Sequence, residues 1–138
     1  HEIAAIASVT GSMSDYTYNG CSPDHPTPVM QIHGANDAVI PFDGAYGFRS
    51  IPESIEFWTQ YNNCDPVPET FSIQDNNNDG YGGGYHEIYS DCQNAVNVEL
   101  YLLEDFGHEW PGVDDDISAA STIWSFFSKF DQSGKIQD

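Results

Sequence analysis

Val29-Met30-Gln31-Ile32-His33-Gly34, followed by Ala35-Asn36-Asp37, is a short apolar run closed by a glycine and then by a carboxylate in a polar turn. Led in by Pro28, it reads as a buried strand delivering an acid at its carboxyl end. Two further apolar runs accompany it. Residues 3–9, Ile-Ala-Ala-Ile-Ala-Ser-Val, stop at Thr10-Gly11, and residues 96–103 form the third strand. Between them, Ser50-Ile51-Pro52-Glu53 reads as a helix start, with proline in the first turn and glutamate three residues after serine. Ile51, Ile55, Trp58 and Tyr61 then recur at helical spacing. Residues 70–73 and 85–89 read as a hairpin around a Gly/Asn/Asp-rich loop. Asp114-Asp115-Asp116 stands where a last helix would start, its negative charge favoured by the helix dipole. Ile117, Ala120, Ile123, Trp124, Phe127 and Phe130 form that helix's expected apolar stripe.

Three apolar strands separated by helical or crossover segments imply an α/β fold: parallel strands with flanking helices and a small hairpin insertion. In such sheets functional groups gather just beyond the carboxyl ends of the strands. Two segments occupy that position, His33-Gly34-Ala35-Asn36-Asp37 and Gly107-His108-Glu109-Trp110-Pro111-Gly112. A carboxylate on one strand end and an imidazole on the next can meet. The carboxylate then fixes the imidazole tautomer and stabilises the imidazolium, so the histidine can act as a general base. Singly, a loop aspartate is usually a turn former and a loop histidine usually solvated. The pairing in the order Asp then His, followed by one amphipathic helix, gives them weight.

Composition narrows the partners. Against 22 acidic residues stand 3 basic ones, a formal charge of −19. Phosphate binding needs clustered Lys and Arg, so nucleic acid is excluded as a partner, and an anionic membrane surface with it. No apolar run is long enough to span a bilayer. The 138 residues suit one domain. The chain opens on His1-Glu2-Ile3 instead of a methionine and a basic leader, which reads as the interior of a longer protein. Cys21, Cys64 and Cys92 include no Cys-x-x-Cys pair, which argues against zinc and for one disulfide plus one leftover thiol in an exported protein.

These segments together resemble the polyhydroxybutyrate depolymerase-like and feruloyl esterase-like family of α/β-hydrolases. The resemblance runs from Ala4-Ala5-Ile6-Ala7 through His33-Gly34, Asp37, Pro41 and Phe57-Trp58 to Gly107-His108, Trp110-Pro111-Gly112 and Ile123-Trp124-Ser125-Phe126-Phe127. It implies that residues 1–138 are the C-terminal half of an α/β-hydrolase fold, part of one secreted esterase domain. Asp37 would be the triad acid, His108 the triad base, and Cys64 and Cys92 would be disulfide-bonded. The family orders its triad serine, acid, histidine, with the serine in a Gly-x-Ser-x-Gly elbow. No such motif occurs here, and Ser12 in Thr10-Gly11-Ser12-Met13-Ser14 reads as structural. The nucleophile-bearing N-terminal part would then be a partner from the same protein. The reaction implied is hydrolysis of a polyester or a plant cell-wall ester through an acyl-enzyme, without a cofactor. One departure is local: Asp105-Phe106-Gly107 stands where the family has a glycine-rich run.

Other residues have plainer readings. Asp43, in Phe42-Asp43-Gly44, is a turn former, and His33 and His86 are packed or hydrogen-bonded. Trp110 could line a substrate pocket or pin its loop. Asp75-Asn76-Asn77-Asn78-Asp79-Gly80 matches the first half of a calcium loop, but the expected twelfth-position acid is His86, with Glu87 one place late. A polar hairpin loop is the better reading, and no metal is assigned. A non-catalytic binding or structural module is the alternative from a different class, and a calcium-binding adhesion module is a third.

Overall fold

In the computed structural model, which describes residues 3–80 and 83–136, β1 (Ile6–Val9) leads through a one-and-a-half-turn helix, α1 (Asp15–Gly20), to β2 (Val29–Gly34). Then come α2 (Ile51–Tyr61), the hairpin β3 (Glu69–Ile73) and β4 (Gly84–Tyr89), a 3-10 turn (Gln93–Ala95), and β5 (Val98–Leu103). The chain closes with α3 (Ala119–Phe127) and a two-stranded ribbon, β6 (Phe130–Asp131) and β7 (Gly134–Lys135).

Five strands form one sheet in the order β1-β2-β5-β4-β3. β1, β2 and β5 run parallel, whereas β4 pairs antiparallel with both β5 and β3. This overturns the half α/β-hydrolase expected from the sequence. The hairpin is no insertion beside a parallel sheet: β4 runs along β5 from Tyr85↔Leu102 to Tyr89↔Val98 and extends the sheet itself. The helices meet β1, β2 and β5 and leave β4 and β3 largely uncovered, short of what a doubly wound fold requires. Those described are only 6, 11 and 9 residues long, and α1 buries no residue at all. The molecule is a β-rich mixed sheet with three short helices and a small ribbon. β4, Gly-Tyr-His-Glu-Ile-Tyr, is half-buried at every position and mixes polar with apolar groups on both faces. Antiparallel sheets allow such a partly solvated strand, and parallel ones do not.

The two sheet faces follow the period of two. Val29 in β2 with Val98 and Leu100 in β5 pack with Ile51 and Ile55 of α2. Met30, Ile32 and Leu103 turn the other way, to Ala119 and Phe126 of α3 and to Phe130. Burial of a side chain such as Phe126 or Ile51 contributes about 2–3 kcal/mol. α2 starts as expected: Ser50 Oγ accepts from Glu53 N, and Glu53 Oε2 accepts from Ser50 N at 2.9 Å. Cys64 and Cys92 are disulfide-bonded, tying the end of α2 to the turn before β5, while Cys21 is a free thiol.

The last helix differs from expectation. It begins at Ala119, after Ser118, and the aspartates lie in the loop before it. Asp115 Oδ2 accepts from Gly112 N within that loop at 2.6 Å, and Asp116 Oδ1 from Asn76 N in the 75–80 loop at 2.7 Å. The buried face of α3 falls on Ala119 and Phe126, so Ala120 is exposed and Trp124 stands 72% exposed.

Candidate active site

β2 and β5 are parallel neighbours paired from Val29↔Val98 to Gly34↔Leu103, so their carboxyl ends finish side by side. Beyond that point the loops are stitched together. Ala35 N donates to Leu103 O at 2.8 Å, Asn36 N to Phe106 O at 2.9 Å, and Asn36 Nδ2 to Glu104 O at 3.2 Å. Gly34 makes the approach possible. A Cβ there would stand 2.1 Å from Phe106 O and 2.5 Å from Gly107 O, so any side chain would wedge the loops apart.

The structure brings Asp37 and His108 together. His108 Nδ1 lies 2.9 Å from Asp37 Oδ2 and donates to it. The other oxygen, Oδ1, accepts from Val39 N at 2.9 Å and Ile40 N at 2.8 Å, closing a tight turn on the acid's own side chain. The carboxylate is wholly buried, while the His108 side chain is 39% exposed. Burial pushes the Asp37 carboxyl up, but the Ile40 amide, His108 and the Val39 amide together outweigh it and hold it below the ordinary 3.8. With Nδ1 committed to the acid, Nε2 of His108 is the nitrogen left for proton transfer.

A second histidine attends the same acid. His33, fully buried, has Nε2 2.9 Å from Ile40 O and 3.6 Å from Asp37 Oδ2. Burial holds its imidazole below the ordinary 6.5, against the opposing pull of Ile40 O and Asp37. Asp43 is exposed in a turn closed by Gly44 N donating to Pro41 O at 2.8 Å. Ser12 Oγ donates to Arg49 O and lies 3.3 Å from Ser54 Oγ. Trp110 is 60% exposed, two residues past His108. Its loop is fixed instead by buried Pro111, whose carbonyl accepts from Ala119 N at 3.0 Å, and by the Asp115–Gly112 bond. Val39 and Val113 are exposed beside the acid turn and the Trp110 loop.

The 75–80 loop bonds to itself and to Asp116. Asn77 Nδ2 donates to Asp79 Oδ2 at 3.0 Å, Gly80 N to Asp75 Oδ2 at 3.2 Å, and Asn76 Nδ2 to Asp116 O at 2.8 Å. Among the described residues no group of three or more His, Cys, Asp or Glu side chains is arranged to hold a metal ion.

A different carboxylate–histidine pair lies inside the sheet. Glu99, buried in β5, has Oε2 2.9 Å from His86 Nε2 and Oε1 3.3 Å from Lys129 Nζ. Burial pushes Glu99 up, but His86 and Lys129 prevail and hold it below 4.5. His86 stacks on Tyr101 at 3.8 Å between ring centroids, and Phe71 lies against its ring at 6.2 Å. The three rings sit at paired positions on β3, β4 and β5. Sequence reasoning missed this ladder, because its signal is strand register and not spacing.

The chain matches no model of a known protein family and no curated protein.

Proposed function

We propose that this chain supplies the acid and base of a secreted serine carboxylic ester hydrolase. The observation that carries the reading is the 2.9 Å contact between a wholly buried, amide-fixed Asp37 carboxylate and Nδ1 of a partly exposed His108. This arrangement orients Nε2 outward as a base and stabilises the imidazolium once a proton arrives. His108 takes the proton of an attacking serine hydroxyl and returns it to the leaving alcohol, while Asp37 stays ionised. Among the described residues no serine hydroxyl bonds to His108, and the sequence holds no Gly-x-Ser-x-Gly. On this reading the serine is supplied by polypeptide outside these 138 residues. Trp110, exposed two residues past the base, offers apolar surface to the acyl part of a polyhydroxyalkanoate or hydroxycinnamoyl ester. The Cys64–Cys92 disulfide supports export to an oxidising compartment.

A chromogenic ester assay on the serine-bearing protein tests this. His108→Ala should lower kcat by about 10⁴-fold or more, Asp37→Asn by about 10⁴-fold, and a serine-directed phosphonate should abolish turnover. The 138-residue chain alone should show no serine-dependent activity. Near-normal turnover in His108→Ala would sink the reading.

A further inference from the structure

Asp37 can face His108 only while the turn from Gly34 to Ile40 keeps one shape. The turn's last carbonyl, Ile40 O, is gripped from inside by His33 Nε2 at 2.9 Å. His33 is gripped in turn: Gln31 Nε2 lies 3.2 Å from His33 Nδ1. The same Gln31 nitrogen donates to Gly11 O at 3.0 Å and Ile32 O at 3.3 Å. Those carbonyls only accept, so they fix the amide with its NH₂ toward His33, its two hydrogens shared among the two carbonyls and Nδ1. His33 Nδ1 is then an acceptor, and its hydrogen sits on Nε2. The opposite tautomer is disfavoured twice: it would set a lone pair against Ile40 O and Asp37 Oδ2, and an N–H against the Gln31 NH₂.

We propose that His33 is a positioning residue for the Asp37–His108 pair, locked by Gln31 as the neutral Nε2–H tautomer and bracing Ile40 O. The bracing is transmitted through Ile40 itself, whose N–H donates to Asp37 Oδ1 at 2.8 Å. The bonds run in one direction: Gln31 to His33, His33 to the Ile40 carbonyl, and the Ile40 amide to the acid. Burial that holds the imidazole neutral is consistent with this role. The proposal rests on reading Asp37 and His108 as an acid–base pair.

It implies opposite tautomers on the two histidines, Nε2–H on His33 and Nδ1–H on His108. Nitrogen-15 NMR of the imidazoles in the 138-residue chain near neutral pH reads both directly. In the unsubstituted chain, finding His33 charged or as Nδ1–H overturns the proposal without any variant. Asp37→Asn should cost His108 its Nδ1–H preference; if it does not, the acid–base reading fails first. His33→Phe should cost His108 the same preference, whereas His33→Gln, which keeps a donor near the Nε2 position, should retain it. If Asp37→Asn moves the His108 tautomer and His33→Phe leaves it intact, the pair stands and the positioning role falls. Loss in both the Phe and Gln variants, with folding preserved by urea titration, also overturns it, because the donor would then not be the active element.

Discussion

Two carboxylate–histidine pairs, each with its closest contact at 2.9 Å, stand at opposite depths of one strand system. Glu99 and His86 lie within β5 and β4, roofed by Tyr101 and tied to Lys129 from the end of α3. Asp37 and His108 lie past the ends of β2 and β5, with the acid sealed by amides and the base left open. The bond is alike, but the surroundings decide its use. A histidine stacked in a ring ladder is held still from the side, and its pair serves to neutralise a buried charge. A histidine on a loop, oriented by one nitrogen only, keeps the other for chemistry.

The comparison breaks most readily at Glu99. Glu99→Ala takes the acceptor from His86 Nε2 and leaves a cavity in β5, and should cost about 2 kcal/mol in urea unfolding. His108→Ala takes one donor from the buried Asp37 carboxylate, which keeps the Val39 and Ile40 amides, and should cost about 1 kcal/mol by the same measurement. Equal losses would mean that both pairs are structural. Gly34→Ala comes next. The added Cβ would collide with Phe106 O, so a loss of about 2 kcal/mol is expected, with the amide resonances of residues 35–37 and 106–108 displaced.

Acid should unfold the molecule in two stages. His33 has a folded pKa below 6.5, so the unfolded chain binds more protons and stability starts to fall below about that pH. Asp37 and Glu99 have folded pKa values below 3.8 and 4.5, so the stability they contribute is present above those values and is lost as pH falls through the lower, folded ones. Urea midpoints across pH 3–8 read both stages, and His33→Phe should remove the upper one. The smallest effect belongs to the ladder's outer ring. Phe71 is half exposed, and Phe71→Ala should cost under about 1 kcal/mol, with no change in the His108 tautomer.

Much of this was legible where the signal is local. Ser50 and Glu53 announce the start of α2, and the apolar runs announce β2 and β5, because caps and periods are written in adjacent residues. The meeting of Asp37 with His108 followed from placing two motifs on neighbouring strand ends. What failed was non-local. Whether a hairpin inserts beside a sheet or extends it depends on which backbone edge β4 finds, and no residue in Tyr85–Tyr89 states that. The aspartates misled for a similar reason: the partners of Asp115 and Asp116, which are Gly112, Asn76 and Asn77, were invisible until the loops closed. Trp124 came out exposed because the side of α3 that meets the sheet runs through Ala119 and Phe126.

β1 pairs only with β2 among the described residues, so its outer side presents a row of unsatisfied backbone donors and acceptors, next to a groove of about 460 Å³ lined by Ile6, Ile55 and Trp58. Such a border is adhesive toward any extended chain. What holds copies apart is long-range and soft: a net charge of −19 on each, felt over only about 10 Å at 0.1 M salt and less at higher concentration. Solubility of the isolated chain is thus an electrolyte property, greatest in dilute buffer and eroded as salt compresses the ion atmosphere around each molecule.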